Sequence, residues 1–123
     1  MDWDVHHNVQ RLQMDKQNLK SFIGLRSESC NSMAELRTEI DLLDRAIVDL
    51  ISLRQTFMDQ AAQIKKDRNR VRDEDRIRDV VIKVGNYAKD AGTDPDLVCD
   101  LYRKMIEWSI NYEMKQFDKL NQV

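Results

Sequence analysis

The stretch MAELRTEIDLLDRAIVDLISLRQTFMDQAAQIKK, residues 33–66, decides the fold. Within it Leu36, Ile40, Leu43, Ile47, Leu50, Arg54, Phe57, Ala61 and Ile64 follow one another at steps of four and three. That is the period of an amphipathic helix, sustained over about four heptads. Ser32 and Glu35 supply an S-x-x-E capping box just before the run, which contains neither Gly nor Pro. From Leu36 to Lys65 such a helix spans roughly 45 Å at about 1.5 Å per residue. A compact domain of this size has a radius of gyration near ~14 Å, hence is about 35 Å across. The helix is too long for its own domain, and its natural partner is a second copy of itself.

One seam position departs from a simple coiled coil. Arg54 places a guanidinium in the apolar line, which is tolerated only with an anion to hold. Lys65 lies eleven residues on, about 20° around the helix, so it points the same way. Arg37 is seventeen residues back and about 100° off that line, and so serves a different surface. On the heptad alone, Arg54 is read either as a structural ion pair with an acidic side chain or as a ligand-binding cation.

The 123 residues are enough for one domain, and 41% hydrophobic with 34% charged residues, three Gly and one Pro describe a helical, soluble protein. A net charge of −2 argues against a general nucleic-acid binder. Cys30 and Cys99 lack the spacing of a metal or redox motif and read as reduced, incidental thiols. No apolar run approaches the ~18 residues needed to cross a membrane. Met1-Asp2-Trp3-Asp4 lacks the basic and apolar regions of a signal peptide, so the cytoplasm is the default location.

Two segments are expected, an N-terminal extension over 1–30 and a helical domain over 31–123. In the extension Val5, Val9, Leu12, Leu19 and Ile23 keep the four-and-three stepping, with Lys16 interrupting the stripe and Gly24 able to end it. It is either an extra helix lying on the dimer or a partly ordered tail. His6 and His7 are adjacent and face different ways on a helix, which favours a surface pair over a metal site. After the long helix, Lys65, Lys66, Arg68, Arg70 and Arg72 crowd one loop, either a solvated basic turn or an anion-binding mouth.

A second helix begins near Asp73, with Ile77, Val80, Val81, Val84 and Ala88 as its core face and Gly92 as its stop. Arg76 in its first turn is on the side that closes over whatever Lys65 holds. Thr93-Asp94-Pro95-Asp96 is a strong start signal for a third helix running to about Lys119. Its seam is Val98, Tyr102, Ile106, Ser109, Glu113, Phe117 and Leu120, in which Ser109 and Glu113 are polar at i and i+4. They are either a solvent-facing break in the stripe or one wall of a buried, mainly positive pocket shared with Arg54 and Lys65.

Residues 33–54, Ile64-Lys65, Val71-Arg72-Asp73-Glu74-Asp75-Arg76 and Met105 to Phe117 together resemble the all-helical chorismate mutases and the closely similar isochorismate-pyruvate lyases. The resemblance spans roughly Cys30 to Leu120. It implies an all-α, three-helix chain forming an intertwined homodimer, in which each site borrows one arginine from its neighbour. Arg37 corresponds to the borrowed arginine, Arg54 to the residue binding a substrate carboxylate, and Lys65 to the contact with the ether oxygen. Asp73 and Arg76 line the site, and Ser109 lies near the ring hydroxyl or carboxylate. Glu113 stands where many members have Gln and others Glu. After Arg76, where many mutases place a Glu, this chain has Ile77, which is similar to the lyases, as is the segment 29–35.

The implied substrate is a small dicarboxylate, and the reaction is the pericyclic rearrangement of chorismate to prephenate. No metal, cofactor, nucleic acid or membrane is required. Arg37 and Arg54 suit bidentate capture of carboxylates. Lys65 suits stabilisation of charge on the breaking C–O bond, aided by Glu113 as a neutral hydrogen-bond donor. One alternative keeps the pocket but cleaves isochorismate to salicylate and pyruvate. Another is a non-catalytic helical dimer that binds a partner.

Overall fold

The computed structural model describes residues 15–122. Val5, Val9, Leu12, His6 and His7 lie outside them. The described chain is all-α, in the order α1 (Lys16–Ile23), α2 (Met33–Ile64), a 3-10 turn (Arg68–Arg70), α3 (Glu74–Asp90) and α4 (Pro95–Leu120). It divides into two compact units, one ending at Leu50 and one beginning at Ile51, with α2 running from the first into the second.

In the first unit, α1 starts on Asp15, whose side chain accepts from the Asn18 N–H at 2.8 Å. It ends on Gly24 at φ 89°, where the Gly24 and Leu25 N–H groups turn back onto Ser21 and Lys20 carbonyls in a Schellman closure. The expected stop is therefore real, and glycine is there because L side chains rarely adopt that φ.

The capping box at α2 is present in altered form. Ser32 Oγ accepts from the Glu35 N–H at 3.1 Å, but the Glu35 carboxylate reaches past Ser32 to the Asn31 N–H at 2.8 Å. Arg26 holds the same carboxylate oxygen at 2.8 Å. These contacts, led by the Asn31 N–H, keep the Glu35 carboxyl below the usual range.

No described residue of the first unit is buried. The seam residues Leu36, Ile40, Leu43, Ile47 and Leu50 stand open, from 38% to 65% exposed. The seam is continuous, as its period requires, and no described residue buries it.

The second unit holds the core. Val71, Ile106, Ile110 and Phe117 form it, with Ile77, Val80, Val81, Tyr102 and Met114 packed around them. Helix α3 is capped by Asp73, which accepts from the Arg76 N–H at 3.1 Å, and it closes at Gly92, φ 73°, in a second Schellman motif. Val84 and Ala88 of the expected core face are buried. Gly85 sits between them, where an added Cβ would come within 3.2 Å of Cys99 Sγ, so it permits close approach of α3 and α4. Both cysteines are free thiols.

Helix α4 begins as its signal predicts, with Asp94 accepting from the Asp96 N–H at 2.9 Å and Pro95 opening the helix. Two seam assignments need correction. Ile110 is buried, whereas Leu120 is 57% exposed at the last turn. The stripe drifts around a straight helix of 3.6 residues per turn, so Ile110 enters the covered face while Leu120 leaves it.

The basic stretch after α2 is not wholly irregular. The Asp67 side chain accepts from the Asn69 N–H at 3.0 Å and winds Arg68–Arg70 into a 3-10 turn. No described helix is long and apolar enough to cross a membrane.

Candidate active site

The second unit brings together four of the sequence-predicted residues. Ser109 and Glu113, four apart on α4, are each only 4% exposed, so the polar break in the stripe faces inward. Arg54 Nη1 donates to Ser109 Oγ at 3.3 Å, and its guanidinium carbon lies 5.8 Å from the centre of the Tyr102 ring. Among the described residues no carboxylate pairs with Arg54. A hydroxyl and an aromatic face hold its orientation and leave most of its five donors free.

Lys65 follows the last residue of α2, its N–H still bonded to the Ala61 carbonyl at 3.0 Å. Its ammonium lies 2.7 Å from Glu113 Oε1 and donates to the Val71 carbonyl at 3.3 Å. The Glu113 oxygen is buried, and the ammonium approaches it off the hydrogen-bonding direction, so the oxygen has charge compensation without an aligned donor. A buried carboxylate so placed is held mainly by the neighbouring charge.

The Val71 carbonyl is positioned because its own side chain, 3% exposed, is locked into the core. Nothing in the sequence singled out this backbone acceptor. Tyr102 could have been read as a contact for Arg54, because it stands seven residues before Ser109 on the same helix face.

A third tie joins α4 to α2. Tyr112 Oη donates to Asp59 Oδ1 at 2.6 Å, while Trp108 stacks on Tyr112 with ring centres 5.5 Å apart. The Asp59 acceptor, then burial, raises the Tyr112 phenol above its ordinary value.

Asp73 lines a concavity of about 480 Å³ together with Lys65, Asn69 and Arg70. Its carboxylate is also the cap of α3. Arg76 does not close over Lys65. Its guanidinium turns along α3 to Asp79 at 2.8 Å, an acid already bonded to Lys83 at 2.9 Å. The i, i+3 carboxylate is simply the nearest anion on the helix surface. Arg37 is exposed on α2 in the first unit.

The basic loop is less positive than its sequence. Arg68 pairs with Asp118 at 2.9 Å. Arg72 is bidentate to Glu107, at 2.6 and 3.0 Å, and also bonds Glu74 at 2.8 Å. Glu107 first, then Glu74, raise the Arg72 guanidinium, and Arg72 lowers the Glu107 carboxyl.

A site of this composition has no activated nucleophile. It can hold anions and place positive charge beside a buried carboxyl. Residues 36–114 match the model of the family described as chorismate mutase type II. The chain belongs to that family. It is also similar to the protein named isochorismate pyruvate lyase from Pseudomonas aeruginosa, with 25% identity over 88 residues, covering 72% of this chain and 87% of the relative.

Proposed function

We propose that this member of the chorismate mutase type II family converts chorismate to prephenate. The observation that carries this reading is Arg54, a half-buried cation oriented by a hydroxyl and a ring, beside the Lys65–Glu113 pair. In this reading residues 31–123 are the catalytic domain and 1–30 an extension to it. Arg54 and the Arg37 of a second copy take the two substrate carboxylates, holding the enolpyruvyl ether in its reactive chair. Ser109 and Asp73 lie against the ring, and Arg76 swings from Asp79 to the bound anion.

The C–O bond breaks as the new C–C bond forms, and negative charge gathers on the ether oxygen. Lys65 leaves Glu113 to meet that oxygen. Glu113 faces that oxygen from the other side as a hydrogen-bond donor. The rearrangement transfers no proton and needs no nucleophile, which agrees with the residue types present. The open seam of α2, Leu36 to Leu50, supports assembly as a homodimer, since covering a half-exposed Leu contributes roughly 1 kcal/mol.

A second reading, cleavage of isochorismate to salicylate and pyruvate, is supported by Ile77 and by the name of the Pseudomonas aeruginosa relative. Ile77 is half-buried against the core and offers no hydrogen bond where many mutases place a carboxylate. Incubating the purified protein with chorismate, then isochorismate, and resolving prephenate from salicylate separates the readings. Prephenate supports the first and salicylate the second. Neither product, from a folded dimer, leaves a binding module.

A further inference from the structure

The loop between α2 and α3 supplies the Val71 carbonyl that holds Lys65, and two adjacent residues tie this loop to α4. Val71 is buried against Ile106, Ile110 and Phe117. Arg72 forks onto Glu107, one turn of α4 before Ile110 and two residues before Ser109. We propose that Arg72 is a positioning residue: its clamp on Glu107 sets the loop against α4, and so sets the Lys65 ammonium relative to Ser109 and Glu113. The inference rests on the reading of Lys65 as the group that meets the reacting oxygen.

The physical case turns on what the fork does best. Both side chains are well exposed, 40% for Arg72 and 54% for Glu107, so the pair adds little to stability. Two parallel N–H···O bonds nevertheless fix direction as well as distance. A third contact, from Nε to Glu74 at the start of α3, ties the same guanidinium to the next helix. Arg72 thus joins the start of α3 to α4 at the loop residue adjoining Val71. A group displaced by about 1 Å from its reacting partner can lose as much as 100-fold in rate.

The test uses the full-length protein and the substrate that it turns over. Arg72→Gln and Glu107→Gln should each lower kcat about tenfold, leaving KM within about threefold, because Lys65 acts chiefly in the transition state. The thermal midpoint should hardly move. With Glu74→Gln as background, which removes the acid already bonded to position 72, Arg72→Glu with Glu107→Arg should recover part of the rate lost by either reversal alone. Hydrogen exchange over residues 66–72 should quicken in the single variants and slow again in the swap.

Parent-like kcat in both Gln variants would overturn the proposal. So would a swap that stays folded by circular dichroism without recovering either rate or protection. Exchange that responds as stated in a protein turning over neither chorismate nor isochorismate keeps the clamp and refutes the functional reading instead.

Discussion

Lys65 and Glu113 are the residues on which the proposed chemistry depends most. In the proposed reaction Lys65 contributes where charge develops, so Lys65→Ala should lower kcat by several orders of magnitude and change KM far less. The variant also leaves Glu113, 4% exposed, without its compensating charge, which destabilises the fold. Circular dichroism must therefore precede kinetics, with Lys65→Gln as the milder form. A rise in KM alone would make Lys65 a binding residue. Glu113 carries the second prediction. In the proposed complex it acts as a hydrogen-bond donor, and Gln has the same shape and also donates, so Glu113→Gln should keep most of the turnover that Glu113→Leu loses. The two kcat values check this, and equal losses would remove Glu113 from that role. Glu113 was legible in the sequence as a polar anomaly of its stripe, and Lys65 as a cation pointing the same way as Arg54. Their contact was not, because a 2.7 Å approach depends on the rotamers and relative placement of two separate segments.

Among the elements, the start of α2 makes the clearest pH prediction. The Asn31 N–H, with Arg26, holds the Glu35 carboxyl below its ordinary value of 4.5. A depressed acid binds fewer protons folded than unfolded, so it contributes stability above pH 4.5 that disappears as pH falls through its folded value. The thermal midpoint of Glu35→Gln should accordingly lie below that of the parent at pH 7 and converge with it in acid. A gap that persists at low pH would mean that the cap acts through shape alone. Helix α4 carries a packing prediction at Ile110, which is 7% exposed in the core with Val71 and Phe117. Ile110→Ala should cost roughly 2–5 kcal/mol, read by denaturant unfolding. The helix boundaries were largely legible, because Gly24, Asp73, Gly92 and Asp94-Pro95 act within a few residues of the ends they mark. The buried face of α4 was legible only in part. Its period predicts a stripe, but which edge is covered depends on where α3 lies.

For the whole molecule, the proposal is that a second copy covers the α2 seam and that its Arg37 completes each site. Arg37→Ala and Arg54→Ala should each be nearly inactive when pure. Mixed and refolded, they should regain activity, since some heterodimers hold one intact site and one doubly damaged one. Heterodimers shown to form without regained activity would exclude a shared site.

The amino-acid sequence by itself determined the all-α class, the three longer helices and their stops, and the family. The class and the helices are written in local hydrogen bonding and in a 3.6-residue period, which need no distant partner, while the family is carried by the order and spacing of the matching segments. Tertiary structure alone decided that Arg54 meets Ser109 and Tyr102 rather than a carboxylate, and that Arg72 is clamped to Glu107. The reason is physical. Arg and Lys side chains are long and flexible, and the basic stretch 65–72 is surrounded by acids within reach. Which acid each cation finds depends on the stagger and rotation of neighbouring helices. Those are set by how Val71, Ile106, Ile110 and Phe117 pack, not by any spacing along the chain.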